Sequence, residues 1–183
     1  MRGVLLINDK MRKKVFIIIA AVMVIAAACN RVVKTTEEDV KKAEAALFND
    51  NLTTNAEAVP SAIEVFSKYA EENPDAANAS EYLFKAFEVA VNTKQDPKQS
   101  IELAERFLKA YPKSDKAPVA LFMLASFVYE DQLGDLDQAR AAYQRVVDEY
   151  PESPFANDAE VSIQHLGMTP EELIKMFESQ QGE

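Results

Sequence analysis

AIEVFSKYAEENP (62–74), SIELAERFLKAYP (100–112) and ARAAYQRVVDEYP (139–151) end alike, and their shared spacing decides the fold. A small residue opens each stretch (Ala62, Ser100, Ala139), a second packing residue follows four places on (Phe66, Ala104, Tyr143), a third three further (Tyr69, Phe107, Val146), and a proline closes it (Pro74, Pro112, Pro151). Steps of four and three keep side chains on one helical face, and the small residue lets a second helix approach closely. The proline then ends the helix, because the residue before it is pushed out of the α region.

The helix starts agree with these stops. Asp96-Pro97-Lys98-Gln99 and Thr169-Pro170-Glu171-Glu172 each place a capping oxygen, a proline at the first helical position and a Gln or Glu three residues on. Asp135-x-x-Gln138 repeats the cap without the proline, and Ser153-Pro154 opens another helix. No window alternates strictly between apolar and polar residues, so the reading is all-α. Helices are expected at about 37–49, 57–72, 76–93, 97–110, 115–132, 136–149, 155–166 and 170–179, with residues 180–183 fraying. Gly167 reads as the left-handed residue that closes the seventh.

This arrangement resembles the tetratricopeptide repeat. In the third unit Leu121, Leu124, Ala125, Gly134-Asp135, Ala139, Tyr143 and Pro151 match that family's spaced pattern, with a two-residue insertion before Gly134 and Val146 where alanine is usual. The Tyr-Pro endings and units near 38 residues resemble the subclass found in the Tol-Pal-associated periplasmic repeat protein and in the repeat lipoprotein of the outer-membrane barrel-assembly machine. The resemblance covers about residues 37–166 and implies a solenoid of three helix pairs plus a C-terminal capping pair over 37–179. It reports architecture rather than ligand.

The N-terminus reads as an address. Met11-Arg12-Lys13-Lys14 supplies a basic region, Val15 to Ile25 an apolar one, and Ala26-Ala27-Ala28 a small-residue close, which is the grammar of a secretory signal. The apolar run to Ala28 would span only about 21 Å as a helix, short of a hydrocarbon core of about 30 Å. Met11 reads as the better start, leaving residues 1–10 as an extension. The sole cysteine, Cys29, follows the alanines, and Ile25-Ala26-Ala27-Ala28-Cys29 resembles the lipobox of bacterial lipoproteins, with Ala where Leu is commonest. That resemblance implies cleavage before Cys29, its lipidation, a tether over 29–36 and an N-terminal lipid anchor in the membrane. Asn30 in place of Asp implies outer-membrane sorting, on the periplasmic side.

Composition excludes more than it selects. Residues 1–28 carry five of the 20 basic residues and one of the 30 acidic ones, so the remaining 155 residues hold 15 and 29, a formal charge of −14. Such a surface repels phosphate backbones, so nucleic acid is not an expected partner. One cysteine and one histidine make no multi-ligand metal centre, and three glycines after residue 28 write no phosphate-binding loop. No cofactor is called for. His165, the carboxylates Glu37, Glu38 and Asp39, and the set Asp131, Asp135 and Asp137 read as surface or helix-capping groups rather than catalytic or metal-binding ones.

A ligand's place can still be narrowed. In tetratricopeptide arrays the first helix of each pair lines the concave face. Asn78, Glu81, Lys85, Glu88 and Asn92 form one polar stripe, and transfer by 38 residues gives Lys116, Val119, Met123, Ser126 and Glu130. Beside them Phe84, Phe122 and Tyr129 would suit a bound peptide if partly exposed; the other reading makes the stripe a solvated face and the aromatics core. The functional expectation is a non-catalytic scaffold lipoprotein that binds envelope proteins, in outer-membrane assembly or in the Tol-Pal and peptidoglycan machinery. The competing expectation is a lipoprotein binding a small molecule or glycan, for which a chain without Trp is poorly equipped.

Overall fold

The computed structural model describes residues 34–49, 51 and 53–181. The expected signal segment, Cys29 and the first residues of the expected tether lie outside them. The described chain forms eight helices: α1 (Glu37–Ala46), α2 (Val59–Glu72), α3 (Ala79–Asn92), α4 (Pro97–Ala110), α5 (Ala117–Met123, running on as a π-helix over Leu124–Gln132), α6 (Leu136–Glu149), α7 (Pro154–His165) and α8 (Pro170–Gln181). The first seven pack each on the next in a tetratricopeptide-like solenoid, and α8 follows at its end.

The three quoted stretches build its core. All nine of their spaced packing residues are buried, Ala62, Phe66 and Tyr69 in α2, Ser100, Ala104 and Phe107 in α4, Ala139, Tyr143 and Val146 in α6. The prolines make three matching junctions. Asn73, Tyr111 and Tyr150 end their helices at φ −129°, −130° and −134° with ψ 55°, 54° and 52°, outside the α region that a following proline disfavours. After each, two short turns recur in the same bonds: the N–H groups of Ala76, Ser114 and Ser153 donate to those capping residues, and Ala79, Ala117 and Ala156 donate three residues back again. These turns are why α3 and α5 begin at 79 and 117, later than the expected 76 and 115.

Capping follows the sequence closely. Asp96 accepts from the Lys98 N–H at 3.0 Å, Asp135 from Gln138 at 3.1 Å and Ser153 from Phe155 at 3.2 Å. Thr36 with Asp39, and Thr169 with Glu172, form reciprocal capping boxes. Gly134 (φ +63°) and Gly167 (φ +80°) supply the left-handed residues at the α5–α6 and α7–α8 turns. α1 stops at Ala46, short of the expected 49, because Asn49 and Asn51 bond to Thr53 and turn the chain back, leaving Phe48 bridged to Thr54. At the other end α8 runs to Gln181, two residues past its expected end.

The π-helix has an origin in the repeat length. Pro74 and Pro112 are 38 residues apart but Pro112 and Pro151 are 39; Ala79 and Ala117 are 38 apart, whereas the caps Asp96 and Asp135 are 39 apart. The extra residue therefore falls between Ala117 and Asp135, inside α5. Wider turns absorb it, as in the Leu133 N–H donating to the Val128 carbonyl five residues back at 3.0 Å.

Candidate functional site

The chain enters the solenoid under restraint. The Thr35 N–H donates to Glu72 Oε2 at 2.6 Å, and Asn73 Nδ2 donates to the Thr35 carbonyl at 3.0 Å, so the backbone just before α1 is fixed beside the α2–α3 junction. Consecutive first helices then lie side by side. Lys85 of α3 pairs with Glu44 of α1, its ammonium 5.7 Å from the Phe66 ring centre. The second helices are linked on the outer side by Arg106–Glu71 at 3.4 Å and Arg145–Glu105 at 3.0 Å.

On the first-helix face, where α1 leaves for its loop, lies a cleft of about 250 Å³ lined by Leu47, Phe48, Thr54, Lys85, Glu88, Val89, Asn92 and Thr93. Leu47 is buried at its floor, while Phe48 stands 57% exposed at its rim. Three of the residues singled out from the sequence, Lys85, Glu88 and Asn92, share this cleft; Glu81, a turn earlier on the same stripe, is exposed and outside it. Lys85 is paired with Glu44, and among the charged residues that line the cleft Glu88 makes no ion pair with a described residue. Such a cleft suits an apolar side chain flanked by a donor or a cation.

The second half of the expected groove is a different environment. Phe84 is only 7% exposed: its ring lies 6.3 Å from that of Phe87 and 5.5 Å from that of Phe107, with the Lys116 ammonium 5.0 Å above it. Its expected partial exposure is thus not found, because it sits where α3 meets α4. Met123 is likewise buried at 8% exposure. Phe122, half-buried, packs its ring 5.3 Å from Tyr143 and 5.6 Å from Phe155, bridging α5 to α6 and α7. Val119, Ser126 and Tyr129 are half-buried, and burial pushes the Tyr129 hydroxyl above its ordinary range. Glu130 accepts from the Tyr143 hydroxyl at 2.9 Å; burial is the first cause that raises Tyr143 as well.

The extra residue in α5 explains this last placement. Once the π-helix begins, transfer from α3 needs 39 residues, so the counterpart of Asn92 is Asp131, which is exposed like Asn92 and lies 3.7 Å from Lys94 of the preceding repeat. Glu130 is turned towards α6 instead.

Sequence reasoning missed Leu47, Phe48, Thr54, Val89 and Thr93. One signal pointed to Phe48: a large aromatic beside the polar run Asn49-Asp50-Asn51, where no core position is due. Three larger openings, of about 520, 390 and 380 Å³, lie at the proline junctions. They recur from one repeat to the next and are products of the turn geometry. His165 stacks edge-on against Phe177 with ring centres 6.0 Å apart. Among the described residues no cluster of His, Cys, Asp or Glu could hold a metal ion, and no helix is long and apolar enough to cross a membrane.

No curated protein and no solved structure is a significant match to the chain. The family model described as outer membrane lipoprotein, YfiO, matches residues 41–169, from the first turns of α1 to the cap of α8. With most of the solenoid inside that match, the chain belongs to the YfiO family of outer membrane lipoproteins.

Proposed function

We propose that this protein is a non-catalytic adaptor, anchored to the outer membrane through acylated Cys29, that holds a segment of another envelope protein in the cleft beside Phe48. The observation that carries the reading is that cleft: a buried apolar floor, a half-exposed aromatic at the rim, and beside them Lys85 paired with Glu44 and the carboxylate of Glu88. An aromatic left in water at the mouth of an apolar recess is a common mark of a recognition surface. Membership of an outer membrane lipoprotein family supports the anchor and an envelope partner. The periplasmic side, and a place in barrel assembly or in the Tol-Pal and peptidoglycan machinery, complete the proposal. Confinement to the membrane plane would raise the effective concentration of a partner in the same membrane without any new contact.

A photo-crosslinking residue at position 48 tests it in cells. A discrete envelope protein is expected to be captured from position 48 and not from position 113 at the proline edge, with capture reduced by Asn92→Ala. Equal labelling from both positions would overturn the cleft as a partner site. The anchor is checked separately: incorporation of a palmitate analogue should vanish in Cys29→Ala, and labelling that persists there rules the anchor out.

A further inference from the structure

Among the described residues eight large apolar side chains are substantially exposed, and five of them gather at one end of the solenoid: Leu133 (48%), Leu136 (41%), Met168 (37%), Ile174 (56%) and Phe177 (50%). They are neighbours across three elements. A Cβ on Gly167 would lie 2.9 Å from Leu136 Cδ1, so the α7–α8 turn carrying Met168 lies against the start of α6. His165, two residues before Gly167, packs on Phe177 of α8. Leu133 sits in the α5–α6 turn, three residues before Leu136, and Ile174 is one helical turn from Phe177.

The surroundings of this patch are acidic. Asp135 and Asp137 flank Leu136, and Glu171 and Glu172 open α8; against these four carboxylates stand two cations, Lys175 of α8 and Arg140, one turn after Leu136, whose guanidinium donates to the Ile163 carbonyl at 3.3 Å. A second copy would bring the same carboxylates against these, and like charges juxtaposed at an interface are costly. A partner carrying an apolar stripe with lysine or arginine on either side meets both features at once, burying the five side chains and answering the carboxylates.

We propose that the α5–α6 turn, the α7–α8 turn and α8 together form a docking face for a basic amphipathic helix of a protein partner. This face is built from residues other than those of the cleft at Phe48 and does not depend on it. The sequence could not single it out, because Leu133, Leu136 and Phe177 are equally good core residues until the stack leaves them uncovered.

The test uses the full-length protein in a neutral detergent and a fluorescent peptide of leucine and lysine, about five helical turns long, with the leucines on one face. Fluorescence anisotropy should show saturable binding that weakens by about tenfold or more in Ile174→Ser/Phe177→Ser, is unchanged in Phe48→Ser, and falls with added salt. Because apolar substitutions can disturb packing, Asp137→Lys/Glu171→Lys supplies a second arm and should weaken binding with the apolar residues intact. Equal affinity in all variants overturns the proposal, as does equal binding of a leucine and glutamate peptide. A concentration-dependent dimer dissolved by Ile174→Ser/Phe177→Ser would overturn it in favour of a second copy.

Discussion

Ser100 occupies in α4 the place that Ala62 and Ala139 hold in α2 and α6, and all three are fully buried. Its hydroxyl has no hydrogen-bond partner. The size requirement at this position is met, but the oxygen was taken from water without compensation, a loss of about 1–3 kcal/mol for a buried hydroxyl. Ser100→Ala removes the orphan and keeps the close helix approach, so it should raise stability by about 1 kcal/mol in urea unfolding. A fall in the unfolding midpoint would show that the hydroxyl has a role that geometry does not reveal. Phe107, two turns further along the same face, is the opposite case. Its ring lies 5.5 Å from Phe84 and 5.8 Å from Tyr111. Deleting it should cost about 3–5 kcal/mol, a large share of an ordinary domain's stability. Thermal unfolding of Phe107→Ala followed by circular dichroism checks this.

At the scale of the element, the π-helix is the feature whose cause can be tested by length. If it exists to absorb the extra residue of the 39-residue unit, deleting exposed Phe127 should restore a regular α5 and preserve the fold, with the helical signal retained and a modest change in melting temperature. Deleting Glu88 from α3, which has no residue to spare, should rotate Ala90 and Val91 off the face they share with Phe84 and Phe87 and unfold the chain. Equal damage from both deletions would refute the length argument. The terminal helices depend on their caps in a pH-dependent way. The Thr36 side chain, then its backbone N–H, holds the Asp39 carboxyl below its usual range; the Thr169 backbone N–H, then its hydroxyl, does so for Glu172. With the folded pKa lower than the unfolded one, the contribution is present above the unfolded value of about 4 and is lost as pH falls through the folded value. Below about pH 4 amide exchange should therefore accelerate in α1 and α8 before it does in α4. Uniform acceleration along the chain would contradict this.

At the scale of the whole molecule, stability passes from neighbour to neighbour, as in other helical repeat stacks. The Arg106–Glu71 and Arg145–Glu105 pairs between second helices are exposed and contribute about 1 kcal/mol or less apiece, so the packing residues of α2, α4 and α6 carry the stack. Central losses such as Phe107→Ala break interfaces on both sides, whereas truncation before Pro170 removes a helix whose Ile174 and Phe177 are half in water. That truncation should shift the melting temperature far less than Phe107→Ala does. Should it shift it more, α8 contributes packing that its exposure does not indicate.

The sequence alone determined the helices, their order and most of their ends, because each is written in local chemistry: a capping oxygen, a proline or a left-handed glycine, and a four-three spacing of packing residues. It also marked Lys85, Glu88 and Asn92 as sharing one face, since a helix repeats within a few residues. Only the tertiary structure decided what lies against that face. Phe84 went into the core because Phe107 of α4 comes to meet it, and Met123 of α5 is buried too. Glu130 turned towards Tyr143 because one added residue rotates the end of α5. Phe48, Leu136 and Phe177 remained in water because nothing in the described chain covers them, and exposure is set by neighbours distant in sequence.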